Sequence, residues 1–380
     1  MSELTSRANA KPFARSWYGT LLWLLGGLGL AGCNDGDRSA MEAIRVNGRT
    51  MGTSYSLIAV PSGKTATPAA TVIEEVVDSL LAAINAEVNT YDASSLISRL
   101  NDGGEVELPV IQTTDRLHSR PGAHFSANLT LATEPYRVSG GAFDPTVGPL
   151  VEYYGFGAGF VDASAVDTAE VARLRQLVGF DKITFDTAAG GEAFTLAVAR
   201  EGVRLDLSAV AKGYAVDQIG LLLAERYGLR DYFVEIGGET VMRGDSPRGT
   251  PWTIGINAPR EGAALDDLEI ILSLSDAAVA TSGNYRNVRI RGGRRYVHTV
   301  DPLTGRAEPS RLLSATVVAP DCATADAYAT ACMASGEDAE AVLAAAGLSG
   351  CLIFAGPGQR FDTRYVGDFG DFVVADQSAD

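Results

Sequence analysis

Asp326 and Thr330 stand four residues apart in T-A-D-A-Y-A-T (324–330), inside a stretch whose spacing predicts a helix from Thr324 to Ala334. Their oxygens then project from one helix face. A magnesium-type cation takes hard oxygen ligands and keeps several waters, so one or two carboxylates are enough to hold it. Taken alone, the pair has a plainer reading: an aspartate favoured by the helix dipole and a threonine bonding back to the preceding turn. His298 opens H-T-V-D-P-L-T-G (298–305), three residues before Asp301. Near neutral pH an imidazole can take a proton from an attacking hydroxyl or stabilise a phosphate, with the nearby carboxylate as its orienter or as a second metal ligand. A histidine hydrogen-bonded in a turn is the alternative. Lys212 and Gly213 lie in L-D-L-S-A-V-A-K-G-Y-A-V-D (205–217), which reads as a strand feeding a helix. A helix start favours anions, and glycine removes a side chain that would keep a ligand at a distance. A solvated helix cation is the ordinary alternative for Lys212.

The elements that must position these residues alternate between β and α patterns. Ala43–Val60 contains strand-like stretches, and Thr71–Val88 has helical spacing without Gly or Pro. Helices are predicted at Glu170–Val178, Ala209–Tyr227, Thr324–Ala334 and Ala339–Ala346. Strands are predicted at Ile183–Asp186, Phe194–Val198, Val203–Leu207, Tyr232–Ile236, Trp252–Ile256, Leu268–Leu274, Tyr296–Val300, Ser314–Val318 and Cys351–Phe354. Between Thr113 and Ser139, the run H-S-R-P-G-A-H and Pro135 speak against one helix through the whole segment. The fold class expected is α+β or mixed α/β, one compact unit of two lobes.

The 380 residues are 46% hydrophobic and 21% charged, ordinary for a globular protein with a sizeable core. Arg7, Lys11 and Arg15 precede an uncharged, mostly apolar run from Trp17 to Leu30, and Leu30-Ala31-Gly32-Cys33 follows. This is the layout of a secretory signal, and the run is shorter than the roughly 20 residues a membrane span needs. With its L-A-G-C ending it resembles a bacterial lipoprotein signal (1–32), with Cys33 as the lipidated first residue and 33–42 as a tether. The domain is expected over 43–362 and an acidic C-terminal tail over 363–380. Removing residues 1–32 deletes three cations and Glu3, moving the formal charge from −16 to −18. A nucleic-acid footprint would be basic, so none is expected. Cys322, Cys332 and Cys351 would remain, an odd number that leaves at least one thiol unpaired.

Further stretches break their elements with small or charged residues: M-G-T (51–53), G-G-A-F-D-P-T-V-G-P-L (140–150), V-E-I-G-G-E (234–239) and T-S-G-N-Y (281–285). Singly, each is a turn. In their order and spacing, together with the stretches above, they resemble the ApbE-type flavin transferases (FAD:protein FMN transferases) from about Met51 to about Gly336. The resemblance implies FAD held as substrate in a cleft between lobes, and Mg2+ as cofactor. It further implies transfer of FMN to a Thr or Ser hydroxyl of an acceptor protein, with AMP released. The acceptor would carry an S/T-G-A-S/T type motif in a membrane redox pump, and the enzyme would be anchored by lipid at the periplasmic face of a bacterial membrane, expected to be the inner one.

Residue by residue, the resemblance makes Asp326, Thr330 and the Ala209 backbone carbonyl the metal ligands. His298 and Asp301 become catalytic, with His298 also touching the nucleotide. Met51, Tyr91, Ala142, Phe143, Asp144, Lys212, Gly237, Gly238, Glu239, Thr281 and Ser282 become cofactor contacts. Asn284 stands where the family commonly has Asp. Two other functions stay open: an FAD pyrophosphatase on the same scaffold, and a flavin-binding lipoprotein without chemistry, against which Asp326, Thr330 and His298 speak.

Overall fold

In the computed structural model, residues 42–376 are described except 64–66, 113–115, 161–164, 188–190, 261, 265–266, 286 and 359. The expected signal segment, Cys33 and nearly all of the tether lie outside the described residues. In chain order, β1 (Ile44–Thr50) and β2 (Thr53–Val60) precede α1 (Ala70–Val88), α2 (Leu96–Asn101) and β3 (Glu105–Pro109). Helices α3 (Ala123–Val138), α4 (Gly148–Tyr154) and α5 (Thr168–Arg175) follow, then β4 (Ile183–Thr187), β5 (Ala193–Val198) and α6 (Ser208–Tyr227). Strands β6 (Asp231–Ile236), β7 (Glu239–Arg243), β8 (Trp252–Asn257), β9 (Leu268–Leu274) and β10 (Ala277–Gly283) come next. After β11 (Val288–Arg291), β12 (Arg294–Val297) and β13 (Leu312–Ala319) lie α7 (Cys322–Ser335) and α8 (Ala339–Ala346). Strands β14 (Ser349–Ala355), β15 (Phe361–Val366) and β16 (Val373–Asp376) end the described chain.

An eight-stranded sheet, ordered β1-β2-β6-β7-β10-β13-β14-β15, forms the centre, and every neighbouring pair in it is antiparallel. Helical spacing on α1 buries Ile73, Val77, Leu81, Ile84 and Val88, and these join α3, α6 and α7 in the larger apolar cluster. The opposite face carries the three-stranded sheet β16-β9-β8, whose Trp252, Ile254 and Leu272 pack with Phe233 and Ile353 of the central sheet. A further small sheet, β3-β5-β4, packs against α2 and α3 and adds Val106, Leu108 and Leu196 to the larger cluster. This is the mixed α and β architecture expected. Among the described residues no helix is long and apolar enough to cross a membrane.

Three expectations need correction. Residues 203–207 are not a strand, although their burial alternates. The Asn101 side chain takes both polar groups of the Leu205 backbone, at 2.7 and 2.8 Å, and the Asp206 amide donates to the Pro145 carbonyl at 2.7 Å. The strand expected at Tyr296–Val300 is β12, which stops at Val297. As expected, no one helix fills the segment before Ser139: α3 begins only at Ala123 and holds Pro135 inside it. Its start is capped from a distance, because the buried Glu87 carboxylate of α1 accepts from the Gly122 and Phe125 amides, each at 2.8 Å. Residues 363–376 are not a tail: β15 extends the central sheet, β16 pairs with β9, and Phe369 between them is fully buried. The three cysteines are all free and buried.

Candidate active site

The packing of α6 against α7 sets the geometry. A Cβ on Gly213 would lie 2.6 Å from the Cys322 carbonyl carbon and 2.8 Å from the Ala323 Cα, closer than real Cβ atoms come. The bare position is therefore required by helix-to-helix contact, not by approach of a ligand as the sequence suggested. Asp217, one turn further along α6, accepts from the Cys322 and Ala323 amides at 2.8 and 2.9 Å and so caps α7 across the contact. Burial is the main cause pushing its carboxyl up to about 7.

This contact brings the start of α6 against Asp326, which is 2% exposed. Its Oδ2 accepts from the Gly213 amide at 3.0 Å. In a regular helix that amide serves the carbonyl of Ala209. The Lys212 ammonium lies 3.8 Å from Asp326 Oδ1 and pairs closely with Glu239 Oε1, while Glu239 Oε2 is buried without a hydrogen bond. Burial raises both carboxylic acids above their ordinary range, with Lys212 opposing. Burial alone would lower the Lys212 ammonium, but the two carboxylates carry it above its ordinary value. Ionised, the trio carries two negative charges against one positive, a surplus that suits a cation. Thr330, one turn after Asp326, places its hydroxyl 3.4 Å from Ser282 Oγ. Asp326, Thr330 and the Ala209 carbonyl are all hard oxygen donors and line the same cavity, so the set fits magnesium. Among the described residues no group of three or more His, Cys, Asp or Glu could hold a metal, but magnesium does not need one.

The cavity has three adjoining limbs that share Lys212. The main limb takes Tyr91, Ala142, Phe143, Asp144, Ser282 and His298 into its wall, besides the Asp326 set. Asp144 spends Oδ1 on the amide and hydroxyl of Thr146 at 2.8 and 2.5 Å, and burial raises its carboxyl. Tyr91 is 66% exposed at the rim, with its hydroxyl donating to the Phe156 carbonyl at 2.8 Å. Gly237, Gly238, Glu239, Thr281 and Ser282 line the second limb, although the Thr281 hydroxyl also meets Thr316 Oγ1 at 2.9 Å. The glycine pair is the β6–β7 hairpin turn, at φ 62° and 110°, so the turn itself demands glycine. Met51 lines the third limb from the β1–β2 turn, where it holds φ 47°, a left-handed value costly for a residue with a side chain.

His298 packs edge-on against Phe156, with ring centroids 6.3 Å apart. Burial lowers its pKa; the Asn287 carbonyl, which accepts from the ring, opposes, and the Lys212 charge adds to the lowering. Nδ1 is buried without a hydrogen bond, so the tautomer that satisfies Asn287 leaves the ring lone pair there. Asp301 is not its partner. The Asp301 carboxylate accepts from the Leu303 amide at 2.8 Å, the Thr304 amide at 3.3 Å and the Thr304 hydroxyl, closing the D-P-L-T turn, and it lines none of the three limbs. The roles of orienter and second metal ligand therefore fall away. Glu235 and Phe156 escaped the sequence reading. Glu235 lies behind the limbs, its Oε1 accepting from the Gly238 amide at 2.6 Å, and Phe156 had no motif around it.

The model of the ApbE family matches residues 51–352. The FAD:protein FMN transferase of Haemophilus influenzae is 35% identical over 312 residues, covering 82% of this chain and 85% of that one. The enzyme of the same name from Vibrio cholerae is 34% identical over 329 residues, covering 85% and 89%. Among solved structures, the flavin transferase ApbE from Vibrio cholerae superposes with a TM-score of 0.73 at 30% identity, over 87% of this chain and 99% of that one. The Pseudomonas stutzeri flavinyl transferase ApbE, in its apo form, gives 0.72 at 29% identity over 88% and 98%.

Proposed function

The chain belongs to the ApbE family and is an FAD:protein FMN transferase, and from that premise we propose a magnesium-dependent transfer of FMN to a threonine or serine hydroxyl, with AMP as leaving group. The observation that carries this course is the convergence on one cavity of Asp326, Thr330 and Ala209 with the buried imidazole of His298, whose pKa burial lowers. Asp326, Thr330 and the Ala209 carbonyl would hold the cation. Bound there, Mg2+ supplies positive charge against the pyrophosphate oxygens, the main demand of phosphoryl transfer.

The residues of the chain do the rest. Lys212 adds charge beside the same oxygens, and Asp144 Oδ2 accepts from a ribose or base. Met51, Tyr91 and Phe143 hold the flavin nucleotide. His298 takes the proton of the attacking hydroxyl. A bond forms between that oxygen and the FMN phosphorus, the bond from this phosphorus to the bridging oxygen breaks, and AMP departs with that oxygen. The acceptor is read as a subunit of a membrane redox pump with an S/T-G-A-S/T type motif. Lipid at Cys33, on the periplasmic face of the membrane, would raise the effective concentration of enzyme beside it.

The test incubates the chain with FAD, Mg2+ and an acceptor domain carrying the threonine, and follows AMP release beside the intact mass of the acceptor. The expected result is equal amounts of AMP and covalent FMN, with labelling abolished when the acceptor threonine becomes alanine. AMP released at the same rate with and without that threonine, and no labelled acceptor, would replace transfer by FAD hydrolysis.

A further inference from the structure

Three elements bring the charges of the site together. Lys212 comes from the start of α6, Asp326 from α7, and Glu239 is the first residue of β7, set by the Gly237–Gly238 turn. Both carboxylates are buried, while the Lys212 side chain is partly open to the cavity. They do not share the ammonium equally. It pairs closely with Glu239 Oε1 and stays 3.8 Å from Asp326 Oδ1, an ion pair too long for a hydrogen bond. Since the Gly213 amide takes Oδ2, Oδ1 is the Asp326 oxygen left to bind a cation. An ammonium donating to that oxygen would occupy it and set a like charge beside the incoming metal. Glu239 lines the second limb and not the main one, where Asp326, Thr330 and Ala209 lie. Its Oε2 is buried without a hydrogen bond, a cost to stability. A carboxylate also repels pyrophosphate oxygens, so contact with the phosphates does not account for it.

We propose that Glu239 is a positioning residue: it draws the Lys212 ammonium aside and so keeps Asp326 Oδ1 open to the metal. The proposal rests on the reading of Asp326, Thr330 and the Ala209 carbonyl as the magnesium ligands. Held this way, Lys212 still borders all three limbs. An ammonium has three donors, so one given to Glu239 leaves others for phosphate oxygens. Without the Glu239 charge, the carboxylate nearest to Lys212 is that of Asp326, in a buried setting where water screens the attraction poorly. Lysine and metal would then compete for one oxygen.

Binding of Mn2+ to the full chain, read from the loss of its free electron paramagnetic resonance signal and competed with Mg2+, tests this without turnover. Glu239→Gln keeps the shape and removes the charge; Glu239→Asp keeps the charge and withdraws it by one methylene. Both should weaken Mn2+ binding about tenfold or more, the usual cost of losing a group that orients a metal ligand. The double variant Lys212→Met/Glu239→Gln removes the competing ammonium as well, and its affinity should return to that of the unaltered chain. Unchanged binding in Glu239→Gln overturns the proposal. So does weak binding that persists in the double variant, which would make Glu239 a ligand itself. Weak binding in Glu239→Gln with full binding in Glu239→Asp also overturns it, by reducing Glu239 to a charge acting at a distance. Circular dichroism checks each fold; if Glu239→Gln does not fold, Glu239→Asp against the double variant decides. Asp326→Ala tests the underlying reading separately, since equal Mn2+ binding with and without Asp326 removes the metal from this site whatever Glu239 does.

Discussion

Lys212 sits between two buried carboxylates, and its neighbours decide what each substitution costs. Asp326→Ala removes one anion but leaves Lys212 paired with Glu239, so the fold should persist while turnover falls by about a thousandfold or more, as several kcal/mol of charge stabilisation are lost. AMP release beside circular dichroism checks this; wild-type rates in the variant would remove Asp326 from the site. Glu235 offers a test by pH. It is 4% exposed, its Oε1 accepts from the Gly238 amide at 2.6 Å, and burial pushes its carboxyl up to about 7. A folded value above the ordinary one means stability is fully present below about 4.5 and is lost as pH rises through about 7. Glu235→Gln keeps the acceptor and stays neutral. It should match the wild type at pH 5 and exceed it at pH 8 by up to about 3 kcal/mol in urea unfolding. Identical curves at both pH values would mean that Glu235 carries no raised pKa.

The pair α6 and α7 is the element on which the site depends, since one helix brings the Ala209 carbonyl and Lys212 and the other brings Asp326 and Thr330. Gly213→Ala puts two effects in opposition. Alanine favours the helix over glycine by about 1 kcal/mol, but its Cβ would meet backbone atoms at 2.6 and 2.8 Å, which cannot swing aside as a side chain can. The contact should win. We expect a net loss of about 1–3 kcal/mol by thermal or urea unfolding, and a fall in turnover beyond what the unfolded fraction explains, because the two helices carry opposite halves of the oxygen set. Unchanged stability with unchanged turnover would show that the helices can separate at no cost.

At the scale of the whole molecule, the central sheet is sealed on one face by helices and on the other by β16-β9-β8, so both ends of the described chain belong to the core. Ending the chain after residue 362 would delete most of β15, the buried Phe369 and β16, leave β14 as a bare edge and open the smaller apolar cluster. Exposed edges and lost large side chains favour aggregation. The truncated protein should be insoluble or melt more than about 10 °C below the full chain. A soluble product with an unchanged melting temperature would return residues 363–376 to the status of a tail.

The sequence by itself carried the order of most helices and strands, because apolar periodicity is local, and it carried the family, because its motifs survive as short strings at kept distances. Asp326, Thr330, Ala209, Lys212 and His298 could be picked out that way. What only the tertiary structure decided depends on partners far along the chain. Glu87 caps α3 and so fixes a boundary that the local string left open, and Asn101 takes the Leu205 backbone, so an alternating string is not a strand. Asp301 turns to its own loop instead of His298 because the Leu303 and Thr304 amides are nearer at hand. Gly213 looked like room for a ligand and is room for another helix. Spacing reports which residues share a face; only the packed chain determines what that face meets.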